Sequence, residues 1–147
     1  MIDNKKVIPF VPVRDEWEFL SFETDSGVDV SVDWDTERTL AGGFEFNQLV
    51  KTSRKIRNHA EWGSWRHKCH GKAGELGVVE LGFKSDKRQY RVLSMFHGKM
   101  RIIVLCICYH KEKTWNPKDA INIATNRAKL VLAGKAKLNV IKIANDL

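Results

Sequence analysis

No apolar run in this sequence is long enough to cross a membrane. The longest, Ile102 to Cys108, has seven residues, against roughly 18 or more for a spanning helix. The opening MIDNKKVIPF holds no long apolar stretch leading to a small-residue cleavage site. No secretory leader is therefore expected, and the chain reads as cytoplasmic. Cysteine is scarce, with only Cys69, Cys106 and Cys108. Cys106 and Cys108 stand two apart in an apparent strand, where their side chains share a face and a bridge between them would be strained. Reduced thiols are the expectation. A zinc site would need Cys69, with His67 or His70, to meet the Cys106–Cys108 pair. Neither CxC nor HKCH is a common zinc spacing, so no metal and no other cofactor is expected. Internal repeats, low-complexity segments, a glycine-rich phosphate loop and a paired-carboxylate constellation are also missing.

What is present describes one domain. A chain of 147 residues can bury roughly 68–70% of its unfolded surface. An apolar fraction of 43% with 10% aromatics belongs to a globular chain rather than a disordered one. Charge is unevenly spread. Residues 1–50 carry 4 basic and 11 acidic groups, residues 51–113 carry 15 and 5, and residues 114–147 carry 6 and 2. An acidic head on a basic body implies a face that meets a polyanion, unless the asymmetry belongs to an ordinary solvated surface.

Patterning divides the chain further. WEFLSF and VDVSVDW flank the turn signal TDSG, and Val28, Val30, Val32 and Trp34 alternate with polar residues, so a hairpin with a strand over 28–34 is expected. After Gly42-Gly43 the period becomes helical. Phe46, Leu49, Val50, Ile56 and Ala60 share a face while Lys51, Arg54, Lys55 and Arg57 take the rest, predicting a basic amphipathic helix over 44–60. CHGKAGELG reads as a loop. Three strands follow at 78–83, 90–96 and 100–109, joined by KSDKRQ and by the turn His97-Gly98-Lys99, as an antiparallel meander. Asn116 is placed to cap a last helix, with Pro117 at its first position, Asp119 in its first turn, a stripe of Ile121, Ala124, Ala128 and Leu132, and Gly134 as its stop. Residues 135–147 fit a helix or a strand equally. The expected class is α+β: a small, antiparallel-rich sheet made of the 78–109 meander and an N-terminal strand, with helices packed on one face.

Read in order, VELGF (79–83), YRVL (90–93), Gly98, IIVLCIC (102–108), YHKEK (109–113), the Asn-Pro helix start and AINIATNRA (120–128) resemble the RelE/HigB-type toxins of the RelE/ParE toxin–antitoxin superfamily, in particular its phage-derived branch. The likeness is close over 78–128 and looser over 17–132. Gly82 stands where the family commonly has arginine, Glu112 where the second lysine of a pair would fall, and Asn116 where a threonine precedes the proline. The resemblance implies a RelE-like fold, a ribosome-dependent messenger-RNA endonuclease that inhibits translation, and a cognate antitoxin partner of helix-turn-helix type. Two other readings stay open: a ParE-like toxin that binds DNA gyrase, and a phage-element domain that keeps the fold for binding alone.

The chemistry needs cations. Cleaving RNA through its 2′-hydroxyl takes a base, positive charge on the scissile phosphate and an acid for the leaving oxygen, all of which basic side chains can supply. Arg91 matches the arginine of the Y-R-V-L strand and is the expected phosphate clamp, since a guanidinium fork bonds two oxygens; the plain alternative is an exposed strand residue. Lys111 matches the family's first lysine, for charge neutralisation. His110 is the nearest histidine and the candidate acid or base. Lys84, Arg88 and Lys113 are expected to position backbone phosphates, and Tyr109 to stack on an unpaired base unless it belongs to the core. Arg66 and His67, in WRHKCH, offer a second RNA contact or a basic surface loop.

Overall fold

The computed structural model describes residues 17–32, 40–53, 66–69, 71–85, 87–98, 100–111 and 114–141. Seven strands make one sheet: β1 (Glu18–Glu23), β2 (Arg66–Lys68), β3 (Val78–Ser85), β4 (Arg88–Phe96), β5 (Arg101–Lys111), β6 (Thr114–Asn116) and β7 (Lys137–Val140). Three helices accompany it: α1 (Leu40–Ser53), α2 (Gly71–Glu75) and α3 (Ala120–Leu132). The strand order is β2-β3-β4-β5-β1-β7, with β6 paired to β5 beside the main path. Among the described strands only β1 and β5 pair in parallel. The expected α+β class and the meander are therefore present. Among the described residues, no helix is long and apolar enough to cross a membrane.

β5 is the centre of the sheet. It pairs with β4 along almost its whole length, and on its other edge first with β1 at 101–104 and then with β6 at 109–111. Ile102 to Tyr109 are all buried, which explains why this strand is a continuous apolar run rather than an alternating one. Its register slips once, since Leu93 pairs with Cys106 but Ser94 with Val104, leaving Leu105 as a bulge. Such an extra residue breaks the ladder locally and turns a backbone group away from it.

Both faces of the sheet are apolar, and both are covered. Phe83, Tyr90 and Tyr109 are cross-strand neighbours on one face, and Phe46 of α1 packs against Phe83 there, with ring centroids 6.2 Å apart. Phe22 and Cys106 belong to the opposite face by the same registers, and Arg127 of α3 lies over the Phe22 ring. The helices thus lie on two sides where a single covered face was expected, because Leu81 and Phe83 on one side and Val78 and Leu93 on the other are all buried and each side needs a cover.

Several boundaries differ from the sequence reading. Residues 28–32 make one bridge, Glu23 to Asp29, and otherwise turn. Asp29 Oδ1 accepts from the Ser21 hydroxyl (2.6 Å), the Ser31 amide (2.9 Å) and the Ser31 hydroxyl (2.7 Å). An aspartate that gathers local donors favours a turn over a ladder, and Val32 is left 61% exposed; residues 33 and 34 lie outside the described part. α1 begins at Leu40, ahead of the glycine pair, with Phe46, Leu49 and Val50 buried as expected; 54–60 lie outside the described part. The loop expected at 69–77 contains α2, whose Ala73 is buried. The open tail forms β7, antiparallel to β1.

The start of α3 is also displaced. Asn116 ends β6 instead of capping the helix, and its amide donates to the Tyr109 hydroxyl. A residue before proline is pushed towards extended backbone, which suits a strand end. The helix opens at Ala120 behind Asp119, whose side chain makes no cap bond. Its buried face is Ala120, Ala124, Thr125, Ala128 and Val131. Leu132 is 52% exposed, because the twelve residues from Ala120 make about 3.3 turns and rotate it off the stripe. Gly134 ends the helix as expected: its φ is +72°, its amide bonds Val131 O (3.0 Å) and the Lys135 amide bonds Leu130 O (2.9 Å). Gly134→Ala is expected to cost about 1–2 kcal/mol, measurable by urea denaturation.

Candidate functional site

The β3–β4 hairpin and the end of β5 bring the cations of the basic segment to one end of the sheet. Lys84 pairs with Gln89, and Phe83, Tyr90, Tyr109 and Asn116 form one row across β3, β4, β5 and β6. Lys84 and Lys87 are exposed and Arg88 is half-buried at this end. The backbones of His110 and Lys111 stand there too, paired with Trp115 and Thr114. The side chains of His110 and Lys111, and all of Lys113, lie outside the described part.

Arg91 stands one step inside this rim, in register with Gly82 and Cys108. Its Nε lies 3.3 Å from Glu80 Oε1, with the side chains 28% and 18% exposed respectively. Its Nη1 donates to Tyr90 O at 3.3 Å. A guanidinium has five N–H donors, so among the described residues three are left for another acceptor. A Cβ at position 82 would lie 3.2 Å from Arg91 Nη1, so the glycine that departs from the family pattern leaves the guanidinium a few tenths of an ångström more room. Glu80 was missed in the sequence. The signal was there: a carboxylate inside the apolar strand VVELGF needs a cation, and Arg91 lies in the adjoining strand.

Of the two readings of Tyr109, its position fits the core one. It is buried, meets Tyr90 edge-on at 5.4 Å, and carries the Arg88 guanidinium 4.4 Å above its ring centre. With Phe83 stacked on Tyr90 at 4.9 Å, the row is a packed aromatic floor under the rim. A base could reach Tyr109 only by displacing Arg88, whose cation–π contact with the ring is worth about 0.5–2 kcal/mol. The WRHKCH segment supplies β2: Arg66 pairs with Leu81 and His67 with Glu80, which puts the His67 backbone beside the residue that holds Arg91. The side chains of Arg66 and His67 lie outside the described part.

The three cysteines are free and buried. Burial, reinforced by Glu80, pushes the Cys69 thiol up to about 12. Cys106 and Cys108 share a hydrogen bond that lowers the first and, together with burial, raises the second. Among the described residues, no group of three or more His, Cys, Asp or Glu is placed to hold a metal. Since the thiolate is the reactive form, native protein at neutral pH is expected to resist a thiol reagent at Cys69 and Cys108, whose thiols are raised, and to react there in denaturant; mass spectrometry after timed labelling checks this.

No curated protein and no solved structure gives a match. The family model for "Phage derived protein Gp49-like (DUF891)" matches residues 46–129, a span that includes β2 to β6, most of α3 and the whole of the cationic rim. It covers more than half of the chain, which therefore belongs to this Gp49-like, phage-derived family, a family associated with RelE-like toxins of toxin–antitoxin systems.

Proposed function

We propose that the protein is the toxin of a type II toxin–antitoxin pair and acts as an endonuclease on ribosome-bound messenger RNA. The observation that carries this reading is Arg91: a guanidinium fixed by Glu80 from its Nε side, with three N–H groups remaining among the described residues, beside a rim of Lys84, Lys87 and Arg88. Glu80 holds the fork's orientation, and the remaining donors suit a phosphate oxygen pair.

In the reaction, a base takes the proton of the 2′-hydroxyl and the 2′-oxygen attacks the adjacent phosphorus. The P–O5′ bond breaks, leaving a 2′,3′-cyclic phosphate and a 5′-hydroxyl that receives a proton from the acid. Arg91 stabilises charge on the non-bridging oxygens. His110 and Lys111 are the groups assigned to proton transfer and charge neutralisation, and Lys84 and Arg88 hold flanking phosphates. The partner is an antitoxin that presents acidic or apolar segments to the rim. Ribosome binding should weaken steeply with salt, because cations meeting RNA release counterions.

Induced expression in bacteria, with growth followed and mRNA ends mapped, tests the proposal. Growth arrest with new mRNA ends that require ribosomes supports it. Arrest with intact mRNA and broken DNA indicates a gyrase inhibitor instead, and folded protein without toxicity indicates a binding domain.

A further inference from the structure

Between its two partners on one edge, β5 has a gap. β1 pairs with residues 101–104 and β6 with 109–111, so no described strand covers 105–108 on that side. A pocket of about 150 Å³ opens there. It is lined by both Cys106 and Ile107, whose side chains alternate across the sheet, so the pocket meets the strand at its edge rather than on a face. Diverging neighbours of a strand leave a crevice of the kind that holds ligands in open sheets. Val28, Val30 and Ile123 wall it with hydrocarbon, and Thr24 and Arg127 provide polar groups.

Arg127 sets the chemistry. Its Nη1 donates to the bulged Leu105 carbonyl at 2.7 Å, and its guanidinium lies 5.2 Å from the Phe22 ring centre. Among the described residues no carboxylate pairs with it. Burial lowers its pKa from the usual arginine value, yet arginine stays charged at neutral pH. A half-buried cation without a counterion is costly, and one negative charge would balance it. A phosphate dianion would bring a second charge into mostly apolar walls. The volume, compared with about 30 Å³ per water, admits a carboxylate with a short hydrocarbon body.

We infer that this pocket binds a small aliphatic monocarboxylate, with its carboxylate on the Arg127 guanidinium and its hydrocarbon end against Val28, Val30 and Ile123. The site is separate from the cationic rim and does not depend on the RNA reading. The carboxylate could belong to a free acid or to the C-terminal residue of a partner chain.

Titration of the ¹⁵N-labelled full chain with isovalerate at neutral pH tests it. Saturable amide shifts are expected at residues 24–30, 105–107, 123 and 127, with a Kd on the order of 1 mM. 3-Methylbutan-1-ol, the same skeleton without the charge, should bind at least about tenfold more weakly, given the strength of charge-assisted hydrogen bonds. Inorganic phosphate should give no saturable shift in the pocket. A short peptide ending in valine, compared with its C-terminal amide, separates the sources. Tighter binding of the acid peptide than of isovalerate assigns the site to a chain terminus, and the reverse assigns it to a free acid. Arg127→Gln should abolish binding. That substitution also removes the donor to Leu105, so Ile123→Trp, which fills the pocket from a half-buried position on α3, is the second variant and should abolish binding with the rest of the spectrum unchanged. Equal binding of alcohol and acid, no saturable shift with either carboxylate, shifts elsewhere, or retained binding in Ile123→Trp would overturn the inference.

Discussion

Arg91→Ala is expected to lower cleavage of ribosome-bound message about 100-fold, the loss typical of removing one donor aimed at developing charge. The substitution has a second effect that must be separated from the first. It leaves the Glu80 carboxylate, only 18% exposed, without its cation and with the weak Cys69 thiol as donor, and losing a partner at a part-buried charge costs about 1–3 kcal/mol. A double variant, Arg91→Ala with Glu80→Ala, removes both charges and should recover most of that stability while remaining inactive. Arg91→Lys keeps the charge but not the fork, and should recover only part of the rate. The check is a set of single-turnover rates on programmed ribosomes beside urea unfolding of the same variants. Full activity in the double variant would show that Arg91 is an ion-pair partner and nothing more.

The second large effect is on stability. Phe46 is almost fully buried and brings α1 against the aromatic row of Phe83, Tyr90 and Tyr109 through Phe83. Phe46→Ala should cost about 3–5 kcal/mol, combining the lost transfer energy with the cavity left behind. The row also supports Arg88 through Tyr109, so at temperatures where the variant stays folded its RNA affinity should fall as well. Calorimetry measures the first effect and a salt-controlled binding isotherm the second. A cost below about 1 kcal/mol, within the range of an exposed substitution, would show that α1 does not hold this face.

The central sheet was legible in the sequence because its signals are local. IIVLCIC reads as an apolar strand of the meander, and the structure buries every residue of it. The strands at 78, 90 and 100 and the Gly134 stop emerged for the same reason. What was not legible depends on side-chain contacts that the hydropathy pattern does not show. The alternation of Val28, Val30 and Val32 is a sound strand pattern, and it loses to an aspartate that finds Ser21 and Ser31 as donors. Asn116 before Pro117 has the composition of a cap, and β5 claims it as a strand end. At the site, Arg91 could be chosen from the pattern around it. Its need for Glu80 was signalled only by a carboxylate inside an apolar strand, and its closeness to Gly82 follows from the register of β3 against β4. The apolar gap beside β5 has no signature in sequence, since it arises where β1 and β6 share one edge.

The most direct test of the central claim, that the cationic end of the sheet meets RNA, is photo-crosslinking from a 4-thiouridine codon in the ribosomal A site, with the attached peptide identified by mass spectrometry. Crosslinks within residues 84–91 or 108–111 are the result expected. Crosslinks confined to other segments, or message cleaved without any crosslink to this rim, would contradict the account.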